Sequence, residues 1–267
     1  MTASDVGRSV TVTVDAFHRG RFYLKQPKGR GHRAGMDAML LAAMVDADRP
    51  VHVADLGAGA GAAGLAVAAR LPEARVQLFE ISEEMVGYAH QSLALPQNAD
   101  IASRVSISHA DVMLKGSARN AAGLKDDCFD HVIMNPPFND ASDRRTPDTL
   151  RQTAHSMNEG LFEGWIRTAG AILKPGGQLS LIARPESIAE IIAACGRRFG
   201  GLEITPVHPH AGENAFRVLV SGIKGSRARL VMRAPLVMHA SGSHAFLSEV
   251  DDMNNGRAAY SRASRRI

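Results

Sequence analysis

Four consecutive residues, Asn135-Pro136-Pro137-Phe138, combine a side-chain amide, two donor-free rings and one aromatic face. They follow the apolar run Phe129 to Met134, which reads as a buried strand, so they fall at a strand's C-terminal end. An exocyclic or amide nitrogen attacks poorly because its lone pair is delocalised. A site that uses it must accept its hydrogens and aim the lone pair. The Asn135 side-chain carbonyl and the Pro136 backbone carbonyl can take the two hydrogens of such an amine. Pro136 and Pro137 fix φ and remove N–H donors that would compete. Phe138 can stack on a planar ring. Positioning then supplies much of the rate, and no strong base is needed because the proton leaves after attack. Taken alone, the tetrapeptide could also be a rigid turn whose phenylalanine fills the core.

Upstream, Asp55-Leu56-Gly57-Ala58-Gly59-Ala60-Gly61 sets glycines between the strand Val51 to Leu56 and the helix Gly61 to Arg70. Glycine permits the tight turn and a close backbone approach to a ligand. Enzymes of NAD and flavin use related loops. Here Asp55 precedes the glycines, where it repels a pyrophosphate and suits a cationic ligand. Glu80 ends the next strand and is placed to accept hydrogen bonds from ribose hydroxyls, with Ile81 beside it. S-adenosylmethionine carries a ribose, an ammonium and a sulfonium, and fits both acids. NAD or a plain tight turn are the competing readings. Asp111-Val112 follows the third strand, where an acid commonly faces an adenine amino group; a helix cap is the alternative. A methyl donor upstream and an amine holder downstream together indicate N-methyl transfer.

The surrounding elements can hold these segments in one site. Val10, Val12 and Val14 alternate with polar residues as in a half-buried strand, and Arg21 to Gln26 can return as a second. Pro27 to Arg33 is a basic, glycine-rich loop, and Asp37 to Val45 has helical spacing. Strands follow at 51–56, 75–80, 105–109, 129–134, 178–183, 202–207 and 217–223, with helices at 61–70, 82–93, 161–173 and 186–199. Lys174-Pro175-Gly176-Gly177 stops one helix. This alternation predicts an α/β fold: a Rossmann-like, seven-stranded, mostly parallel sheet. No helix separates the last two strands, which predicts an antiparallel C-terminal hairpin. The expected organisation is a strand-rich extension and basic loop over 1–34, the catalytic domain over 35–252, and a basic tail over 253–267 that frays. Residues 139–156 are polar and charged, either a disordered linker or a mobile substrate loop.

Composition narrows the class. The 267 residues are 45% hydrophobic and 22% charged, ordinary globular values. No run approaches the roughly 20 apolar residues of a membrane helix, and the N-terminus lacks a signal-peptide pattern. Cys128 and Cys195 give neither a disulfide framework nor metal spacing. The expectation is a cytoplasmic protein with no membrane partner and no metal. A net charge of +4 and a pI near 9.3 favour a polyanionic partner, although many basic proteins bind no nucleic acid. Lys28, Arg30 and Arg33 are the candidate RNA contacts.

On these residues the chain resembles the class I S-adenosylmethionine-dependent methyltransferases with a methyltransferase small domain. Within that group it is similar to the bacterial tRNA1(Val) (adenine-N6)-methyltransferases. The discriminating segment runs Gln26-Pro27-Lys28-Gly29-Arg30-Gly31-His32-Arg33-Ala34-Gly35-Met36-Asp37-Ala38-Met39-Leu40-Leu41. The resemblance implies that Gln26, Gly35 and Asp37 pack over the methionine end of the cofactor, which Asp55, Gly57, Gly59, Glu80 and Asn135 also contact. It implies a tRNA adenine as acceptor. Guanine-N2 of ribosomal RNA and release-factor glutamine stay open as acceptors, as does a non-catalytic RNA-binding module. The short strand-rich lead argues against the release-factor enzymes, which carry a helical N-terminal domain. Ala58 and Ala60 stand where hydroxyl residues are frequent, Phe138 where tyrosine is, and 94–98 departs from the usual asparagine-ended helix.

Overall fold

The structure, a computed structural model, describes residues 12–28, 34–137 and 160–263. Phe138, Arg30, Arg33 and the 139–156 segment therefore lie outside the described residues. Strands β1 (Val12–Phe17) and β2 (Phe22–Pro27) pair antiparallel, from Val12↔Pro27 to Phe17↔Phe22. Helix α1 (Met36–Ala43) leads into the main sheet. That sheet is built from β3 (Val51–Leu56), β4 (Ala74–Glu80), β5 (Val105–His109), β6 (Phe129–Met134), β7 (Leu173–Ala183), β8 (Phe199–His208) and β9 (Arg217–Lys224). Its order is β5-β4-β3-β6-β7-β9-β8. Only β9 runs antiparallel, to both β7 and β8. Two short strands, β10 (Val231–Met232) and β11 (Leu236–Val237), add to the outer side of β8.

The connecting helices are α2 (Ala62–Arg70), α3 (Glu83–Leu93), α4 (Ala99–Ala102), α5 (Gly116–Ala121), α6 (Leu161–Ile172), α7 (Ile188–Cys195) and α8 (Ser248–Asn254). The central strands are buried on both faces, as parallel strands between helix layers must be. One apolar layer lies with α1 and α2, the other with α6 and α7. From β3 the chain winds outward through β4 and β5, then returns to β6 on the other side of β3. That reversal opens a crevice at the strands' C-terminal ends, where α/β sheets bind ligands.

Local chemistry accounts for the departures from expectation. The helix expected over 186–199 ends at Cys195, because Gly196 takes φ +47 and Phe199 already begins β8. Lys174 to Gly177 is a bulge inside β7: the pairing jumps from Phe129↔Leu173 to His131↔Gln178. The frayed C-terminus is not found through residue 263. Tyr260 N–H donates to Ala43 O at 2.7 Å, Arg262 pairs with buried Glu203 at 3.1 Å, and Ala263 N–H donates to Glu203 Oε2 at 2.9 Å. A buried carboxylate requires such partners, and the basic end supplies them. The unusual 94–98 segment also has a use. Buried Asn98 donates to Tyr23 O at 2.7 Å and accepts from Tyr23 N–H at 2.8 Å, mimicking a strand neighbour for β2. This fixes the hairpin above α3.

Candidate active site

A cavity of about 570 Å³ opens at the C-terminal ends of β3, β4 and β6, within the size range of small-ligand sites. Its wall brings together Gln26, Gly35, Asp37, Asp55, Gly57, Gly59, Glu80, Ile81, Asn135, Pro136 and Pro137 from the sequence-derived candidates. Asp111 and Val112 do not line it. Asp111 Oδ1 accepts from Met113 N–H at 2.7 Å, and the Val112 carbonyl accepts from Thr168 Oγ1 at 2.7 Å. Lys28 is exposed at the end of β2.

The floor is the glycine loop. Gly57 and Ala58 N–H both donate to Phe79 O, at 2.8 and 3.0 Å, which ties the loop to the end of β4. Gly57, Gly59 and Gly61 take φ +68, +57 and +95, where a side chain is strained. A Cβ on Gly57 would also lie 2.3 Å from the Trp165 ring. Glu80 closes the loop from the other side: Oε2 accepts from Gly59 N–H and Oε1 from Ser82 N–H, each at 2.8 Å. Each carboxylate oxygen has a second lone pair for a ligand hydroxyl.

Asp55 is 2% exposed, and its Oδ2 accepts from Gly64 N–H on α2 at 2.9 Å. Gly64 allows this approach, since a Cβ there would lie 2.3 Å from Leu78. Burial pushes the Asp55 carboxyl up to about 7; the Gly64 hydrogen bond opposes this and nearby Glu80 adds to it. A buried acid beside a second acid is a site for a cation. The donor set therefore fits a ligand with both a positive charge and hydroxyls, as S-adenosylmethionine has.

Across the cavity, Asn135 and Pro136 leave the end of β6. Asn135 Oδ1 is buried and has no hydrogen-bond partner among the described residues. At the cavity wall, such an acceptor suits a donor carried by a ligand. Asp37, in the first turn of α1, accepts from Arg217 Nε at 2.8 Å. The pair spans from the N-terminal segment to β9, and both residues line the cavity. Gln26 is spent internally: it donates to Asp15 at 2.6 Å and accepts from Ala34 N–H at 2.9 Å. It shapes the wall by holding the chain on either side of the basic loop.

Two wall residues, Trp165 and Arg217, escape the motif reading. Trp165 is the chain's single tryptophan, a signal the sequence offered. Arg217 opens a strand that is otherwise apolar at its start, but only the fold brings it to Asp37. The described residues contain no cluster of His, Cys, Asp and Glu suited to a metal, and no helix long and apolar enough to cross a membrane.

Comparison with known proteins gives the family and the fold. The methyltransferase small domain profile matches residues 33–205. The tRNA1(Val) (adenine(37)-N6)-methyltransferase of Porphyromonas gingivalis is 32% identical over 181 residues, 66% of this chain and 68% of that protein. Its counterpart in Pedobacter heparinus is 25% identical over 75% of this chain and 80% of that one. Among solved structures, a predicted O-methyltransferase from Agrobacterium tumefaciens is 59% identical, with a TM-score of 0.76, covering 85% of this chain and 99% of the other. A Thermotoga maritima O-methyltransferase at 16% identity and TM-score 0.50, covering 75% of this chain and 69% of that one, shares the fold alone.

Proposed function

Because the chain belongs to the methyltransferase small domain family, and is thus an S-adenosylmethionine-dependent methyltransferase, we propose that it methylates the N6 amine of an adenine in tRNA. The observation that carries the amine is the buried Asn135 Oδ1 at the cavity wall, without a partner among the described residues. The names of the Porphyromonas and Pedobacter relatives support adenine and tRNA.

Bound S-adenosylmethionine supplies an electrophilic methyl group on a sulfonium. The chain's residues do the rest. Glu80 holds the glycine loop in place and offers lone pairs to ribose hydroxyls. Asp55 provides negative charge for the cationic end, and Ile81, 62% exposed, gives an apolar face beside Glu80. Asn135 Oδ1 and the Pro136 carbonyl accept the amine hydrogens, so the nitrogen lone pair is turned out of conjugation and toward the donor. Pro137 stiffens the turn, and Phe138 stacks the base. Lys28, with Arg30 and Arg33 beside it in sequence, binds the RNA backbone by charge.

Nucleoside mass spectrometry tests this reading. Total tRNA from a strain lacking the protein is incubated with it and a methyl-labelled donor. N6-methyladenosine should carry the label. Label only in guanine, in protein or in ribose would overturn the assignment. The last outcome matters because the 59%-identical Agrobacterium protein is described as a predicted O-methyltransferase. A hydroxyl brings one hydrogen where this site offers two acceptors, so the amine is the better match.

A further inference from the structure

We propose that Phe216 is a stacking surface for a nucleotide next to the target base, a contact separate from the amine-holding turn. The inference rests on RNA being the acceptor. Phe216 is 37% exposed, a large aromatic ring kept at the surface immediately before β9. Its neighbour Arg217 lines the cavity, and the Arg217 guanidinium lies 5.3 Å from the Phe216 ring centroid. That guanidinium is itself anchored on Asp37 at 2.8 Å. An unbroken line of contacts thus runs from the cavity wall to an exposed aromatic face.

Register places the ring on the acceptor side. Met134, the residue before Asn135, pairs with Leu181 on β7, and Ala183, two residues on, pairs with Val218 on β9. Val218 is therefore level with the residues just past Met134 and two strands away, about 10 Å across the sheet. Phe216 lies two residues beyond Val218, out past the C-terminal edge where the cavity opens. A single-stranded segment with one base in the cavity would carry its neighbour over this region.

The backbone that carries the ring is held by hydrogen bonds. Phe216 N–H donates to Val207 O at 2.9 Å. The turn before it is braced by Glu213 N–H to His210 O at 3.2 Å and by the His210 ring to Ser243 O at 3.1 Å. A fixed, exposed aromatic ring beside a cation is suited to sequence-tolerant stacking of bases, because every base has a π face.

The test uses full-length protein, deletion-strain tRNA as substrate and single-stranded decaadenylate as a binding probe. Phe216→Leu should raise the KM for tRNA roughly tenfold and weaken decaadenylate binding by a similar factor, the scale of one lost stacking contact. The kcat should stay within about twofold and S-adenosylmethionine affinity should not change, by the same localisation of the loss to stacking. Phe216→Trp should restore both RNA readouts. If wild-type protein methylates tRNA and Phe216→Leu does so with unchanged KM, this inference falls and the tRNA reading stands. If Phe216→Leu weakens donor binding as much as RNA binding, the ring is structural. If wild-type protein labels only a protein acceptor, the RNA reading fails and takes this inference with it.

Discussion

In the donor half of the cavity, each carboxylate is already engaged by backbone. Glu80 accepts from Gly59 and Ser82, Asp55 accepts from Gly64, and the loop's own N–H groups reach Phe79 O. In the acceptor half, Asn135 Oδ1 is buried among prolines with no partner among the described residues. The donor half thus has these hydrogen bonds in place before a ligand arrives. Among the described residues the acceptor half carries an unmet hydrogen bond, the kind that costs about 1–3 kcal/mol and that the proposed amine would satisfy. Stability and chemistry should therefore separate between the halves.

Asn135→Ala is the sharpest way to break that contrast. It removes the proposed amine acceptor, and loss of one preorganised partner of the reacting group typically costs about 10²–10³ in kcat. Donor affinity should stay within about threefold, because the donor half keeps its own contacts. The Tm should hold or rise, since the variant deletes a buried group with no partner among the described residues. Single-turnover kinetics, calorimetric binding of S-adenosylmethionine and thermal melting read the three quantities. A parallel fall in all three would make Asn135 part of the cradle and erase the distinction.

Gly57→Ala probes the other half. The residue sits at φ +68, and its new Cβ would lie 2.3 Å from Trp165. Left-handed strain costs about 1–2 kcal/mol and overpacking about 1–3 kcal/mol. The expected result is a loss of roughly 30-fold in donor affinity with a lower Tm, by the same overpacking argument. Adding Trp165→Leu should recover part of that loss, because the clash goes while the backbone strain stays. A double-mutant cycle measures the coupling, and strictly additive effects would show that Gly57 and Trp165 act apart.

The contrast also explains what could be read from sequence. The strand–helix alternation from Val51 onward, the glycine loop and the proline turn are local patterns, and each occupies the expected place in the fold. Glu80 and Asp55 stood out in the sequence as acids at strand ends next to glycines, and both line the cavity. Their backbone partners were not, because Gly64 and Ser82 become partners only once α2 and α3 pack. Arg217 was hidden for the same reason: it lies 180 residues from Asp37, and only the antiparallel last strand brings them together. Asp111 shows how a ligand contact and a local turn can share one residue: its Oδ1 accepts from Met113 N–H within its own turn, a bond that only the folded turn reveals. The end of the chain looked frayed because its arginines had no visible partner until Glu203 was seen to be buried.

The smallest expected effect isolates the charge of the donor half. Burial holds the Asp55 carboxyl up to about 7 in the free protein. A cationic ligand favours the carboxylate, so binding lowers that pKa and releases a proton. Affinity for S-adenosylmethionine should therefore rise as pH increases from 5.5 to 8, by about tenfold, and flatten above the free-state value. Stability has the opposite slope. A raised folded-state pKa contributes stability that is fully present below the unfolded value near 3.8 and is lost as pH rises through about 7. Melting curves alone would blur this, because His18 and His131 are lowered by burial to about 4 and about 3. Their contribution runs the other way: it is present above 6.5 and lost as pH falls toward those values. Binding to the folded protein avoids that conflict, since both imidazoles stay neutral across 5.5 to 8 in the folded state. Calorimetry in two buffers of different ionisation heat should show proton release near pH 6.5. Asp55→Asn keeps an oxygen for Gly64 N–H but cannot ionise, so it should bind more weakly at pH 8 and lose the pH slope. A slope that survives in Asp55→Asn would assign the titration to another group and leave Asp55 as a helix anchor only.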